Sequence, residues 1–130
     1  MARTALTVTT LTPNTPLVGL GTTTNIDATN SHSITLPRPA TPAEILIVVK
    51  NTTASTKTVT VKAGANPPSV RAGGGDMTSL SLTDGSTTPQ YGVIGPLEAS
   101  RYMQADGTIN VDVAASMTGT ITVLYVPRSV

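Results

Sequence analysis

Apolar and polar residues alternate with a period of two along most of this chain, the spacing that puts every second side chain on one face of a strand. Leu6 and Val8 alternate with Thr7 and Thr9, which predicts a first strand over about residues 4–12. Ile34 and Leu36 alternate in a short strand that ends at Pro37. Residues 44–51 (EILIVVKN) are apolar at successive positions, so both faces are expected to be buried, as in a central strand. Val59 and Val61 alternate with Thr58, Thr60 and Lys62 beyond the turn-like residues 51–55, so 44–51 and 57–63 read together as a hairpin. Further strands are expected over 79–82, 90–94, 99–104 and 108–114. The last, over 119–126, sets Ile121, Val123 and Tyr125 on one face.

The breaks are as informative as the strands. Residues 13–32 hold Pro13, Pro16, several Thr and Asn, and a short apolar patch at Leu17, Val18 and Leu20; they read as an extended arm or loop. Beyond Pro37, Pro39 and Pro42 bar a helix. Residues 64–89 carry Gly64, Pro67, Pro68, Gly73 to Gly75, Asp84-Gly85 and Pro89 and read mostly as loop, and Gly95-Pro96 and Asp106-Gly107 mark turns. There is no amphipathic helix and no internal repeat. The expected fold is all-β: an antiparallel β-sandwich or jelly-roll-like single domain over 33–130, preceded by an N-terminal strand and extended arm over 1–32.

Composition narrows the function. A length of 130 residues suits one domain. Charged residues are 12% of the chain, about half the usual share, and 25 Thr take their place. There is no Phe or Trp, and the only aromatics are Tyr91, Tyr102 and Tyr125, so the core rests on 30 Val, Ile and Leu. Such a core leads us to expect a marginal monomer that association stabilises. Net charge is +1 and the eight basic residues are scattered singly. Nucleic-acid binding asks for clustered Lys and Arg with stacking aromatics, so no nucleic-acid partner is expected. The longest apolar run, Ile45 to Val49, is far too short to span a bilayer or serve as a leader, so neither a membrane nor a signal peptide is expected. Without Cys, disulfides and thiolate metal sites are excluded.

Little in the chain suggests catalysis. His32 lies between Ser31 and Ser33 with Asp27 nearby, but a triad needs an oxyanion hole and no nucleophile-elbow motif is present; a solvated loop histidine is the simpler reading. Asp76, Asp84, Asp106 and Asp112 lack the spacing and the bidentate Glu of a calcium loop and read as turn and strand-face residues. Residues 72–76 (AGGGD) lack the Lys and following helix of a phosphate loop. Asn51-Thr52-Thr53 matches a glycosylation sequon that chance often produces. No enzyme activity, cofactor or metal is expected. The natural reading is a protein-binding domain.

Three segments carry a resemblance: ILIVVKNTTASTKTVTVKAGANPP (45–68), IGPLEASRYMQADGTINVDV (94–113) and TGTITVLYVPR (118–128). They resemble the small β-sandwich structural proteins of tailed bacteriophages, those of actinobacteria in particular, with Tyr102 where Phe is expected. The resemblance covers about residues 44–128. It implies a capsid decoration, or cement, protein. Such a protein is made in the bacterial host cytoplasm, carried on the outer capsid surface of the virion, bound to the major capsid protein and self-associated as a homotrimer. The residues expected at its interfaces are Leu6, Val8, Leu11, Leu17, Val18 and Leu20, on the strand and arm that could add to a neighbour's sheet edge, together with Glu98, Arg101 and Tyr102. A tail, baseplate or fibre-associated domain is the alternative, and a carbohydrate-binding β-sandwich module the third.

Overall fold

The computed structural model describes residues 2–37, 40–64 and 75–127, the Ser100 side chain excepted. The expectations for Pro39, Pro67, Pro68 and the glycines at 73–74 lie outside the described residues. Ten strands are described: β1 (Thr4–Leu6), β2 (Val8–Thr10), β3 (Thr24–Asn25), β4 (His32–Thr35), β5 (Ile45–Asn51), β6 (Lys57–Val61), β7 (Leu80–Leu82), β8 (Gln90–Ile94), β9 (Thr108–Val113) and β10 (Gly119–Tyr125). One sheet runs β1-β4-β9-β6-β7. The other runs β2-β10-β5-β8, with β3 also on β10.

The order follows from nested antiparallel pairs. β3 pairs with β10, β4 with β9, β5 with β8, and β6 with β7. The chain from β3 to β10 is thus one long hairpin, rolled so that successive pairs fall in alternate sheets and knit together through β10·β5 and β6·β9. That is a jelly roll. The all-β sandwich stands, with one addition to the antiparallel expectation: β1 and β2 join β4 and β10 in parallel.

Four expectations are corrected. Residues 44–51 and 57–63 do not form a hairpin, because β5 and β6 lie in different sheets. Their connection crosses the sandwich, and each strand finds its partner far along the chain. The strand expected over 4–12 is split at Thr7, where the chain passes from one sheet to the other; Leu6 and Val8 keep their alternation and both meet the core. Residues 4–10, the N-terminal strand expected within 1–32, are paired within both sheets, and the connection between them and β3 is the exposed part. Residues 99–104 form no strand. Behind Pro96, Ala99–Tyr102 makes one helical turn (α1), with the Tyr102 N–H donating to Glu98 O at 3.2 Å and Met103 N–H to Ala99 O at 3.1 Å. The turn tucks Leu97 and Tyr102 into the core. Finally, Pro42 does not bar a helical turn but opens one: Pro42–Glu44 is a short 3₁₀ turn leading into β5.

The core is aliphatic, with Ile34, Ile45, Ile47, Val49, Val59, Val61, Ile109, Val111 and Val123 fully buried between the sheets. Among the described residues three buried side chains are polar: Thr122, on the outward side of β10, and two among the core residues, Asn51 and His32. Asn51 is fully buried; its Nδ2 donates to Thr83 O at 2.8 Å and more weakly to Ser55 O and Leu82 O, while Oδ1 accepts from Thr53 N–H at 3.0 Å. It ties the end of β5 to the loop after β7 in the opposite sheet. The sequon nitrogen is thereby engaged inside the fold. His32 is the second, and it is no solvated loop residue: it is fully buried at the start of β4, with both ring nitrogens bonded.

Candidate interaction surface

The two outer faces differ in chemistry. On the β4-β9-β6-β7 face the outward positions are Ser33 beside Asn110, Thr35 beside Thr108, Thr60 beside Asp112 and Thr58 beside Ser81. Charges gather along it. Arg3 Nη1 lies 2.5 Å from Asp112 Oδ1, and Lys62 bonds Asp76 and stands 4.0 Å from Asp112. The Lys62 ammonium and the Ala63 N–H hold the Asp76 carboxyl below its ordinary range, and Asp76 in turn raises Lys62. This is an ordinary solvated surface.

The β2-β10-β5-β8 face is apolar in its middle. Ile45, Ile47 and Val49 of β5 point into the core, so Leu46, Val48 and Lys50 point out. On β8 the outward residues are Tyr91 and Val93. Register sets them in rows: Tyr91, Lys50 and Thr120; Val93, Val48 and Thr122, the last of which is buried; then Leu46 beside Leu124. Tyr91 is 57% exposed and Val93 60%. Lys50 Nζ, 6.0 Å from the Tyr91 ring centroid, is the one charge in the rows. Concavities flank both ends. A hollow of about 410 Å³ is lined by Asn25, Ile26, Lys50, Thr52, Thr118, Gly119 and Thr120. At the other end, a pocket of about 200 Å³ is lined by Ala43, Glu44, Ile45, Leu46, Pro96 and Val126.

The residues expected at interfaces separate into three groups. Leu6 and Tyr102 belong to the core; Tyr102 is buried under the Arg101 guanidinium, 5.0 Å from its ring centroid. Val8 packs against the core, and Leu11 and Leu20 are half-buried, Leu11 donating its N–H to Tyr125 O at 2.9 Å. Leu17 and Val18 are exposed, at 40% and 94%. Glu98 is exposed and Arg101 half-buried, and neither lies in the apolar rows. Sequence reasoning missed Tyr91, Val93, Leu46, Val48 and Leu124. The signal was present: a β5 run with apolar residues on both faces and a QYGVI strand with two large apolar residues on one.

The other chemistry-bearing residues serve local structure. His32 Nε2 accepts the backbone N–H of Asp27 at 2.9 Å and Nδ1 lies 3.2 Å from Thr4 O, so its ring faces no Ser hydroxyl across a triad. The Asp27 carboxylate is bonded by Thr4 Oγ1 and by Asn30 and Thr29, which hold it far below the ordinary carboxylate range. Asp84 and Asp106 cap their own turns through Ser86 and Thr108. Among the described residues no three His, Asp or Glu side chains gather as a metal site would require. No protein-family model, curated protein or solved structure matches this chain.

Proposed function

We propose that this protein is a structural component of a phage virion, a decoration protein that docks on the outer surface of the capsid and bridges major capsid subunits. The observation that carries the reading is the apolar outer face of the β2-β10-β5-β8 sheet, where Tyr91 and Val93 stand exposed beside Leu46, Val48 and Leu124 while the opposite face is polar and charged. Contiguous exposed apolar surface on a small domain marks a binding site, and a flat sheet face suits a protein surface better than a small molecule. Two arguments turn the partner toward a capsid: the resemblance of residues 44–128 to phage structural proteins, and the jelly roll itself, which viral shells use. The second is an analogy of fold.

The test is co-sedimentation of the purified chain with capsids of its phage that lack it. The Val93→Asp variant should bind at least about tenfold more weakly, since docking would strip water from a carboxylate where an apolar side chain belongs. Its melting temperature should be unchanged, because Val93 faces outward. Equal binding by the variant, or label found only on tails in electron micrographs, would overturn the reading. Exposed Tyr91 gives a glycan-binding module its one foothold, since an open aromatic ring can stack on a sugar. Glycan binding lost in Tyr91→Ala, with capsid binding absent in both proteins, would favour that reading.

A further inference from the structure

We infer that the surface this face docks on presents an acidic side chain, an Asp or a Glu, to Lys50, with its carboxylate seated in the hollow beside that lysine. The inference rests on the docking reading of the face and adds the chemistry of what the face meets. Register builds the spot. Asn25 of β3 stands opposite Thr120 of β10, Thr120 opposite Lys50 of β5, and Lys50 opposite Tyr91 of β8. Side chains directly opposite share a face and stand about 5 Å apart, so an amide, a hydroxyl, an ammonium and a phenol line up across four strands. The hollow of about 410 Å³ is lined by the Asn25, Thr120 and Lys50 members of that row, with Thr52 and Thr118 beside them.

Every member of the row can donate a hydrogen bond and none is an anion. Lys57 and Lys62 have acceptors within the chain, Ala115 O at 2.8 Å and the Asp76 carboxylate. Lys50 has none among the described residues. All seven acidic side chains of the chain lie among those residues, and none of them pairs with it. Its Nζ stands instead 6.0 Å from the Tyr91 ring centroid. The Thr120 hydroxyl and the Asn25 amide likewise make no hydrogen bond among the described residues, whereas the Thr52 and Thr118 hydroxyls bond each other at 3.0 Å. In the free protein water serves the half-buried Lys50 ammonium. Docking the Val93–Val48 and Leu46–Leu124 rows strips that water, and an ammonium desolvated without a counter-charge is costly. A carboxylate between Lys50 and Thr120 offsets that cost through a charge-assisted bond and takes up the unused hydroxyl and amide donors. The occupant is a protein carboxylate and not a sugar acid, because the donor row borders two apolar rows. Covering the whole face takes one anion at the edge of an apolar expanse, and a sugar carries hydroxyls throughout.

Co-sedimentation with capsids that lack the protein, at about 50 and 300 mM salt, tests the inference through the sign of one substitution. Lys50→Met keeps the length and the apolar stem and removes the charge. With a carboxylate opposite, the variant leaves that carboxylate buried and unpaired, so binding should fall about tenfold or more and lose most of its salt dependence. With no anion opposite, the variant sheds a desolvation cost and binds as tightly as the wild type or more so; that result overturns the inference. Lys50→Arg should bind within about threefold of the wild type, and Lys50→Glu should lose about a hundredfold or more, since two carboxylates then face each other. All three should melt as the wild type does, because the side chain points outward. An Arg variant as weak as the Met variant overturns the inference too. A wild type that does not bind capsids overturns the docking reading and the inference with it. A wild type whose binding falls in Val93→Asp and holds in Lys50→Met overturns the inference alone. Lys50-dependent retention on an immobilised polyuronate, with capsid binding unchanged in Lys50→Met, gives the row to a sugar acid and overturns it as well.

Discussion

Acidification through pH 6.5 should loosen this fold at its N-terminal strand, because His32 is built in as a neutral ring. Asp27 N–H points at Nε2 across 2.9 Å, so Nε2 must be the unprotonated nitrogen. The one proton then sits on Nδ1, which donates to Thr4 O at 3.2 Å. A second proton would set an N–H against an N–H and put a charge in a fully buried site. Burial accordingly lowers the His32 pKa, although the Thr4 carbonyl and the Asp27 carboxylate pull it back up and Arg3 opposes them. The charged groups around it are Asp27, Arg3 and, paired with Arg3, Asp112. Asp27 stays ionised well below this range.

The sign follows. The unfolded chain takes up the proton near pH 6.5 and the folded chain at a lower pH, so the stability His32 contributes is present above pH 6.5 and lost as pH falls toward the folded value. The slope approaches about 1.4 kcal/mol per pH unit for one proton, so a ring still neutral at pH 5.5 costs about 1.4 kcal/mol there. In a domain of this size that lowers the melting temperature by roughly 5 °C. His32→Gln can keep an acceptor toward Asp27 N–H, gives up the bond to Thr4, and does not titrate. It should be less stable than the wild type at pH 7.5 by about 1–2 kcal/mol and lose markedly less on acidification. Melting curves at pH 7.5, 6.5 and 5.5 for both proteins provide the comparison. As the only histidine in the chain, His32 also yields a single imidazole signal whose titration midpoint can be read directly. Equal acid losses in the two proteins, or a midpoint above 6.5, would refute the reasoning.

Two further predictions concern the β5 end. Asn51→Ala leaves the carbonyls of Ser55, Leu82 and Thr83 without its amide, and should cost about 2–4 kcal/mol in denaturant melts; Asn51→Asp should cost more at neutral pH, where its carboxylate faces those oxygens, and recover part of the loss when protonated. Gly119→Ala should cost about 3 kcal/mol, because φ is +136° there and a Cβ would lie 1.9 Å from Lys50 O; a variant within 1 kcal/mol of wild type by the same assay (an ordinary surface change) would show that the strand end shifts freely.

The strands were legible where local pattern decides them. β8 and β10 fall on the predicted ranges almost residue for residue, and β5 declared itself through its run. Partner choice was not legible. β5 and β6 are each good strands with a good turn between them, and nothing local says that they lie in different sheets, β5 between β8 and β10 and β6 between β7 and β9. His32 misled for the same reason: Ser31 and Ser33 look like loop, but burial is set by Thr4 and Val111, which arrive from β1 and β9. Residues 99–104 look like a strand and the resemblance sets Tyr102 at an interface, but a single helical turn puts the tyrosine inside. The candidate surface was half legible. Alternation gives Tyr91 and Val93 a common face, but whether that face is inside or outside depends on how many layers the fold has.

The low charge content finds its explanation in that asymmetry. A two-layer sandwich has one interior, and the aliphatic residues of β5, β8 and β10 exceed what the interior takes up, so Leu46, Val48, Val93 and Leu124 are left on the outside. Threonine keeps the surrounding surface hydrated without charges that would have to be desolvated on docking.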